Sequence, residues 1–505
     1  MSLPFCLTGV SALVGSPFAR TGTTRLLTRN RPQFSRATAC IAIGHTIFSH
    51  RPGPNMEALT TEQVIALAPD AAGAKAGQSL ANPAKWVSLG LAGRSVWGEC
   101  QGSGKVPYRT QADLSGPAFH CSCPSRKFPC KHGLGLMLLL AGNAARVAEA
   151  APPAWVSEWV AKRDASAEKK AAKVEPETTP PDPETAAKRE ADREKRAAKR
   201  EDRVRAGLAE LQTGLGDLTR QGLAHAKQQP SQFFDAMAAR MIDAQAPGVA
   251  RRLREWPGIF ASGDDWAGHA LAEMGTLQWL LHGFARLDTL PDGMRASVRN
   301  AIGWTVAEQE LADVECVRDH WQVVGQIVED EDKLRVQRTW LVGESSGRPA
   351  LCLSFAAMNQ ALDVSLIAGT TVEADLVFHP SAVPLRALVR ERHGEARALG
   401  EATAHADFSN ALDQTSTLLA GDPWLERTPW LVRDCLPIRS EDSWLLRDSG
   451  GHAVPLARNF ANAWPLFALS GGAPVTIFGE WDGCTLMPLS VIAGKRFTPL
   501  GAAIP

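Results

Sequence analysis

The spacing of apolar residues changes near residue 316, and this change separates two kinds of structure in the second half of the chain. Between residues 206 and 315 apolar side chains recur at helical spacing, as in Leu208, Leu211 and Leu215, which predicts a helical domain of four or five helices. From residue 316 to 505 the apolar period is mostly two, which predicts strands. The pattern therefore predicts a central helical bundle followed by a mostly antiparallel α+β domain.

Within the C-terminal half, three alternating runs predict consecutive strands at residues 321–328, 334–343 and 349–355. Short polar turns join them, so antiparallel pairing in a meander is expected. Residues 401–420 carry a helical pattern, and Asp482-Gly483 predicts a two-residue hairpin turn.

Residues 166–205 differ in composition from both flanks, being rich in Ala, Lys, Glu, Arg and Pro. This stretch buries too little apolar surface to fold alone, so we interpret it as a charged, proline-containing linker. Its second part, residues 184–205, can form a solvated helix with i,i+4 ion pairs. Residues 184–205 are mildly basic, but we interpret them as a solvated spacer and not as a phosphate-binding segment.

Whole-chain charge excludes a global polyanion-binding surface. Lys plus Arg number 54 and so do Asp plus Glu, so any nucleic-acid site must be local. The ten cysteines are not arranged as a secreted disulfide framework, which favours a reducing cytoplasm. No run of about 18 apolar residues predicts a membrane span.

The first 55 residues contain no Asp or Glu and several Arg, Ser and Thr, a composition typical of an organellar transit peptide. A competing interpretation starts the natural protein at Met56, because Thr60-Thr-Glu-Gln63 is a capping box opening a helix. The Ala- and Gly-rich composition with one tyrosine is typical of a bacterial protein. We favour the Met56 start, which makes residues 1–55 an unstructured extension.

Three thiols and an imidazole lie within twelve residues in a C-x-C-x6-C-x-H pattern, formed by Cys121, Cys123, Cys130 and His132. In an extended segment residues i and i+2 share a face, so Cys121 and Cys123 can both point at one ion. Four such ligands suit tetrahedral zinc in a closed, structural site. A disulfide between Cys121 and Cys123 would be strained.

The run from Trp97 to His132 resembles the SWIM-type zinc finger, and most of all its bacterial branch. The matching residues are Trp97-Gly98, Gly102-Ser-Gly104, Pro107-Tyr108, Asp113-Leu-Ser-Gly-Pro-Ala118 and Cys121 to His132. The resemblance covers residues 86–142 of a predicted domain at 56–165. It implies a small ββα unit that holds one zinc ion through the four ligands, and a role in binding nucleic acid or protein instead of catalysis.

The residues around these ligands are locally basic. Asp113 is the only acidic residue between Gln101 and His132. Five basic residues surround the ligands and are candidate phosphate contacts: Lys105, Arg109, Arg126, Lys127 and Lys131. The same patch could equally be a solvated loop or a surface for an acidic protein partner.

Two sequence patterns resemble enzyme motifs, but the residues around them do not match what those motifs require. Gly343-Glu-Ser345-Ser-Gly347 matches a nucleophile motif, but a strand follows where a helix is required, so we interpret Ser345 as a turn residue. Gly102-Ser-Gly104-Lys105 lacks the remaining residues of a phosphate loop. The other histidines lack recognisable ligand spacing, and we interpret them as ordinary surface or core residues: His282, His320, His393, His405 and His452.

The sequence thus predicts an α+β multidomain, cytoplasmic, non-enzymatic protein that binds zinc and acts as an adaptor for DNA, RNA or protein. The alternative is a protein-interaction scaffold without nucleic acid. For that scaffold, the resemblance implies AAA+ ATPases and von Willebrand factor A-type proteins as partners. A weaker third hypothesis is an enzyme whose chemistry lies in the C-terminal half.

Overall fold

The computed structural model describes residues 59–501 except residues 103, 116–117, 143–146, 173–182, 264, 305, 307, 332–333, 358–359, 361 and 441–442. The extension predicted at residues 1–55 lies outside the described residues.

The N-terminal part folds as a four-stranded antiparallel sheet covered by helices. The helices are α1 (Thr61–Ala66), α2 (Ala71–Leu80), α3 (Lys131–Gly142) and α4 (Ala154–Ala172). The strands, in sheet order, are β1 (Trp86–Ala92), β2 (Ser95–Cys100), β3 (Tyr108–Asp113) and β4 (Ala118–Cys121). The expected ββα unit corresponds to β3, β4 and α3, and β1 and β2 extend its sheet to four strands.

Two glycines allow α2 and α3 to pack closely. A Cβ atom on Gly77 would lie 2.8 Å from the Cβ of Leu134, and one on Gly135 would lie 2.6 Å from the Cβ of Leu80. Carbon atoms do not approach this closely without displacement, so larger residues at either position would separate the helices. The predicted capping box is present and begins α1, with the Thr60 N–H donating to Gln63 Oε1 over 2.7 Å.

The central part is a helical bundle, as the apolar period predicts. Its helices are α5 (Pro183–Gln221), α6 (Leu223–Gln228), α7 (Ser231–Asp243), α8 (Pro247–Phe260), α9 (Trp266–Ala285) and α10 (Asp292–Ile302). The leucines at helical spacing, including Leu208 and Leu215, are buried in its core. The position predicted as a boundary, residue 205, falls inside α5, so the charged segment and the first bundle helix are one continuous helix.

Five strands then close into a barrel in the order β5-β6-β7-β9-β8. They are β5 (Cys316–Glu331), β6 (Leu334–Gly343), β7 (Pro349–Ala357), β8 (Thr370–Phe378) and β9 (Arg386–Ala398). The first three form the predicted antiparallel meander. The meander does not end as an open sheet, because β9 pairs in parallel with β7 through Leu351 and Arg386 and closes the barrel.

The last part is a six-stranded sheet in the order β12-β11-β10-β13-β14-β15. Its elements are α11 (Phe408–Gly421), β10 (Thr428–Ser440), β11 (Ser443–Arg447), β12 (Ala453–Pro455), α12 (Ala463–Ser470), β13 (Val475–Trp481), β14 (Leu486–Ala493) and β15 (Arg496–Pro499). The hairpin predicted at Asp482-Gly483 exists, but its loop has four residues. The reason is that the Asp482 carboxylate accepts hydrogen bonds from the backbone N–H groups of Cys484 and Thr485, at 2.8 and 2.6 Å.

The N-terminal part from α1 to α4, called the module below, packs directly on the barrel. The Gln63 amide donates to the carbonyl oxygen of Ala368 over 2.9 Å, and Ile367 belongs to the module's buried apolar core. Glu62 also pairs with Arg496. The module is therefore joined to the rest of the chain by these direct contacts as well as by the segment at 166–205.

A chain of buried and half-buried ion pairs links the barrel, the last sheet and the bundle. Arg338 on β6 donates two hydrogen bonds to Glu480 on β13, each 2.8 Å long, and a third of 2.6 Å to Glu329. The side chains of Arg338 and Glu480 are only 7% and 2% exposed.

The network continues from Glu480 toward the bundle. Arg427 lies 3.5 Å from Glu480 and 3.8 Å from its neighbour Glu426, which in turn pairs with Arg251 and Arg252 on α8. Charges buried this deeply are tolerated only when each is paired. The three parts of the structure are therefore held in register by electrostatic complementarity as well as by apolar packing.

Among the described residues, no helix combines the length and apolar character needed to cross a membrane.

We predict that Glu480→Gln destabilises the folded protein by about 3 kcal/mol, because it leaves the buried Arg338 guanidinium partly uncompensated. Urea unfolding followed by circular dichroism measures this. The matched control is Glu210→Gln, which breaks the exposed ion pair with Arg240 and is expected to change stability little. Equal losses in the two variants would contradict a special role for the buried pair.

Acid should weaken the same network. Burial alone would raise the pKa of Glu426, but the charges of Arg251 and Arg252 outweigh it and hold the pKa below the ordinary value. The same balance, with Arg338, lowers the pKa of Glu329. A carboxylate with a lowered folded pKa contributes stability above its unfolded pKa of about 4.3, and this is lost as the pH falls through the folded value.

The difference in the free energy of unfolding between the parent and Glu426→Gln should therefore be largest at neutral pH. It should shrink toward zero as the pH falls below about 4. Unfolding titrations of both proteins between pH 7 and pH 3 test this. A difference that stays constant over that range would show that the Glu426 charge does not stabilise the fold.

Candidate metal centre

The four predicted metal ligands converge where β4 ends and α3 begins. Cys121 is the last residue of β4, Cys123 follows two residues later, and Cys130 and His132 lie at the start of α3. One ligand atom from each residue can be chosen so that all four lie within 4.8 Å of one another. The structure thus brings together all four residues that the spacing predicts.

The distances fit a tetrahedral zinc ion. Zn–S bonds of about 2.3 Å and Zn–N bonds of about 2.0 Å place neighbouring ligand atoms roughly 3.6 to 3.8 Å apart in a tetrahedron. His132 Nδ1 lies 3.7 Å from Cys121 Sγ and 4.0 Å from Cys130 Sγ. The ligand set of three thiols and one imidazole is positioned to bind a zinc ion, with Nδ1 as the histidine ligand.

Neighbouring groups orient these ligands. The Thr110 hydroxyl lies 3.1 Å from Cys121 Sγ, and the Gly133 N–H donates to Cys130 Sγ over 3.5 Å. The Tyr108 ring packs against the His132 imidazole at 5.0 Å between centroids. Such outer contacts fix ligand geometry and raise metal affinity.

Hydrogen bonds within the ligand group and burial shift the pKa values of the three cysteine thiols in different directions. Cys130 accepts hydrogen bonds from the Cys121 thiol, from His132 and from the Gly133 N–H, and these lower its pKa to about 4 despite burial. The hydrogen bond to Cys130 and burial raise the pKa of Cys121, and burial raises that of Cys123. Zinc binds cysteines as thiolates, so metal binding at this site releases the protons that the three thiols still carry.

The five basic candidates fall into two groups. Arg109 lies 3.5 Å from Glu99, and Lys127 lies 2.6 Å from Asp70, so both have acidic partners. The other three are exposed and have no ion pair among the described residues: Lys105, Arg126 and Lys131. Arg126 lies in the loop between the second and third ligands, and Lys131 lies between the third and fourth.

Asp113, the only acidic residue in this stretch, does not offset the basic group. Its side chain is buried and lies 3.5 Å from Arg94 and 3.2 Å from Arg163. The Asp113 carboxylate is therefore paired with arginines of the module itself and does not neutralise the exposed basic residues.

A groove of about 650 Å³ lies between the module and the barrel. Arg126 and Lys127 from the metal-binding loop line it together with Arg335 from β6, and Asp70 and Asp330 line it as well. Arg335 is 209 residues from Arg126 in sequence, so no local pattern could place it beside the metal-binding loop. The barrel thus contributes the ion pair of Arg335 and Asp330, 3.9 Å apart, to this surface.

Of the residues excluded as functional, Ser345 lies in the turn between β6 and β7, as predicted, and its N–H donates to Asp319 Oδ1 over 3.1 Å. Two of the histidines that lack recognisable ligand spacing in the sequence have carboxylate partners in the structure. His393 Nε2 lies 2.9 Å from Asp375 Oδ2, and His452 Nδ1 lies 3.5 Å from Asp448 Oδ2. Both pairs are formed across strands or turns that the sequence spacing did not reveal.

We predict that the parent protein holds one zinc ion per chain and that Cys121→Ser combined with Cys130→Ser abolishes it. Because the module shares its core with the barrel, metal loss should also speed amide hydrogen exchange at Ile367 and Ala368. Metal analysis and exchange mass spectrometry measure the two effects. The control Cys100→Ala removes a nearby buried thiol outside the ligand set and should leave zinc content unchanged; undiminished zinc in the double variant would contradict the assignment.

Comparison with known proteins agrees with this geometry. The family model of the SWIM zinc finger matches residues 111–141, and that of the SWIM-associated four-helix bundle domain matches residues 199–302. Searches of the curated proteins and of the solved structures find no match. The two matched regions contain the four-ligand centre and helices of the central bundle, so the chain carries a SWIM-type zinc finger and the helical bundle domain associated with it.

Proposed function

We propose that this protein is a non-catalytic adaptor whose zinc-stabilised module contacts the phosphate backbone of DNA or RNA. The observation that carries the proposal is the position of Arg126 and Lys131. Both are exposed, have no ion pair among the described residues and lie within the segment that the metal ligands hold in place. Lys105, in the loop between β2 and β3, adds a third unpaired charge.

A fixed backbone favours phosphate binding. Metal coordination at Cys123, Cys130 and His132 restricts the segment that carries Arg126 and Lys131, so less conformational freedom is lost when these side chains meet a polyanion. Binding of this kind is independent of base sequence and falls steeply with salt.

The competing function is a protein-interaction scaffold that works with an AAA+ ATPase or a von Willebrand factor A-type partner. Exposed apolar side chains outside the module favour it. On α9, Leu271 and Trp279 are 64% and 50% exposed, and on α12 Trp464 is 59% exposed. Large exposed aromatic side chains are typical of protein-binding surfaces.

The proposed setting is the reducing cytoplasm of a bacterium. All eight cysteines in the described part of the chain are free thiols, and the metal site needs reduced thiols to form. The three thiols of the metal site are fully compatible with such a compartment.

We predict that replacing Lys105, Arg126 and Lys131 together by Ala weakens binding to DNA or RNA across all sequences. Each lost phosphate contact should reduce the slope of log K against log salt by about 0.7 to 0.9. Fluorescence anisotropy titrations at several salt concentrations measure this, with zinc content checked in parallel.

The matched control replaces Arg109 and Lys127, whose charges are engaged by Glu99 and Asp70. This double variant should lose less affinity per residue than the triple variant. Absence of binding in the parent, or identical binding in the triple variant, would support the scaffold instead. A pull-down with and without nuclease then identifies partners that do not depend on nucleic acid.

A further inference from the structure

The outer face of the barrel carries a dense set of titratable side chains across β5, β8 and β9. Strand register places Arg318 opposite Asp375, Asp375 opposite Glu391, and Glu373 opposite His393. These positions are far from the cysteine-rich centre in sequence and belong to different strands.

Three of these side chains converge on one point. Asp375, Glu391 and His393 each offer a ligand atom, and these atoms all lie within 4.8 Å of one another. His393 Nε2 lies 2.9 Å from Asp375 Oδ2. Glu391 and His393 are two residues apart on one strand, so they share a face toward Asp375 on the adjacent strand.

The backbone of β9 is irregular on both sides of this cluster. The register shifts between Asp375 and Leu376, where Arg390 is the extra residue of β9. It shifts again next to His393, where Gly394 has a φ of +73°. Bulges of this kind re-aim neighbouring side chains and are common beside functional sites.

The Asp375 side chain, 20% exposed overall, has one oxygen that accepts no hydrogen bond from the described residues. Oδ1 of Asp375 is buried and has no hydrogen-bond partner in the described part of the chain, whereas Oδ2 of the same carboxylate contacts His393. A buried unpaired acceptor is costly and calls for an explanation such as an ion. Arg318 does not donate to Asp375 Oδ1, because its guanidinium donates two hydrogen bonds to Glu373, of 3.0 and 2.8 Å.

We propose that Asp375, Glu391 and His393 form a second metal site, which binds a divalent first-row cation such as Mn²⁺ or Zn²⁺. Two carboxylates and one imidazole are a harder ligand set than the three thiols and imidazole of the finger, so the two sites prefer different ions. With three protein ligands, the bound ion keeps positions open for water. The site joins β8 to β9 and is independent of the proposed nucleic-acid contacts.

The test uses the full-length, zinc-loaded protein. Mn²⁺ is titrated in and the free ion is measured by electron paramagnetic resonance, which detects hexaaqua Mn²⁺; Zn²⁺ binding is measured in parallel by calorimetry. One additional cation per chain is expected. Glu391→Gln and His393→Gln should each weaken binding at least about tenfold.

The matched control is Glu395→Gln, an exposed carboxylate on the same strand that lies outside the cluster. It should bind the cation as the parent does. Because Glu391 is also exposed, its variant is expected to fold, and circular dichroism checks this for all three. Failure of both ions to bind saturably beyond the finger's zinc, or an equal loss in Glu395→Gln, would overturn the proposal.

Discussion

The Glu480 carboxylate is the point through which the larger parts of this molecule are tied together. It is almost fully buried, and it accepts hydrogen bonds from Arg338 and from the Trp340 indole at 2.8 Å while Arg427 lies 3.5 Å away. A buried charge is stable only if its surroundings supply matched partners, and here the partners come from the barrel and from the segment that enters β10. The barrel and the last sheet can therefore occupy only the arrangement that brings these groups together.

The zinc centre imposes a comparable constraint on the N-terminal module. The module's sheet and helices bury a small apolar core, which includes Ile367 from the barrel region. Metal coordination links the end of β4 to the start of α3, and the Gln63 to Ala368 hydrogen bond joins the module to its neighbour. The finger is consequently a part of the larger structure, and its metal contributes to the stability of a surface that extends onto the barrel.

Local patterns predicted the features that depend on local sequence. The apolar period located the bundle helices and the strands β5 to β7, and the ligand spacing located the metal centre to the residue. The features that were missed depend on residues far apart in sequence. Gln63 meets Ala368 across 305 positions, and His393 meets Asp375 only because two strands pair in a bulged register. The pairing of β9 with β7 that closes the barrel is likewise long-range, and the alternation of apolar and polar residues along a strand does not reveal it.

The continuity of α5 has a mechanical consequence. The helix runs for 39 residues, from Pro183 to Gln221, which corresponds to about 58 Å at the usual rise per residue. Its last four turns are anchored in the bundle core through Leu208, Leu211, Leu215 and Leu218, whereas the sequence of its charged first half contains no Leu, Ile, Val, Met or Phe. Because one uninterrupted helix contains both halves, a displacement of the charged half relative to the bundle must either bend the helix or shift the leucines that pack in the core.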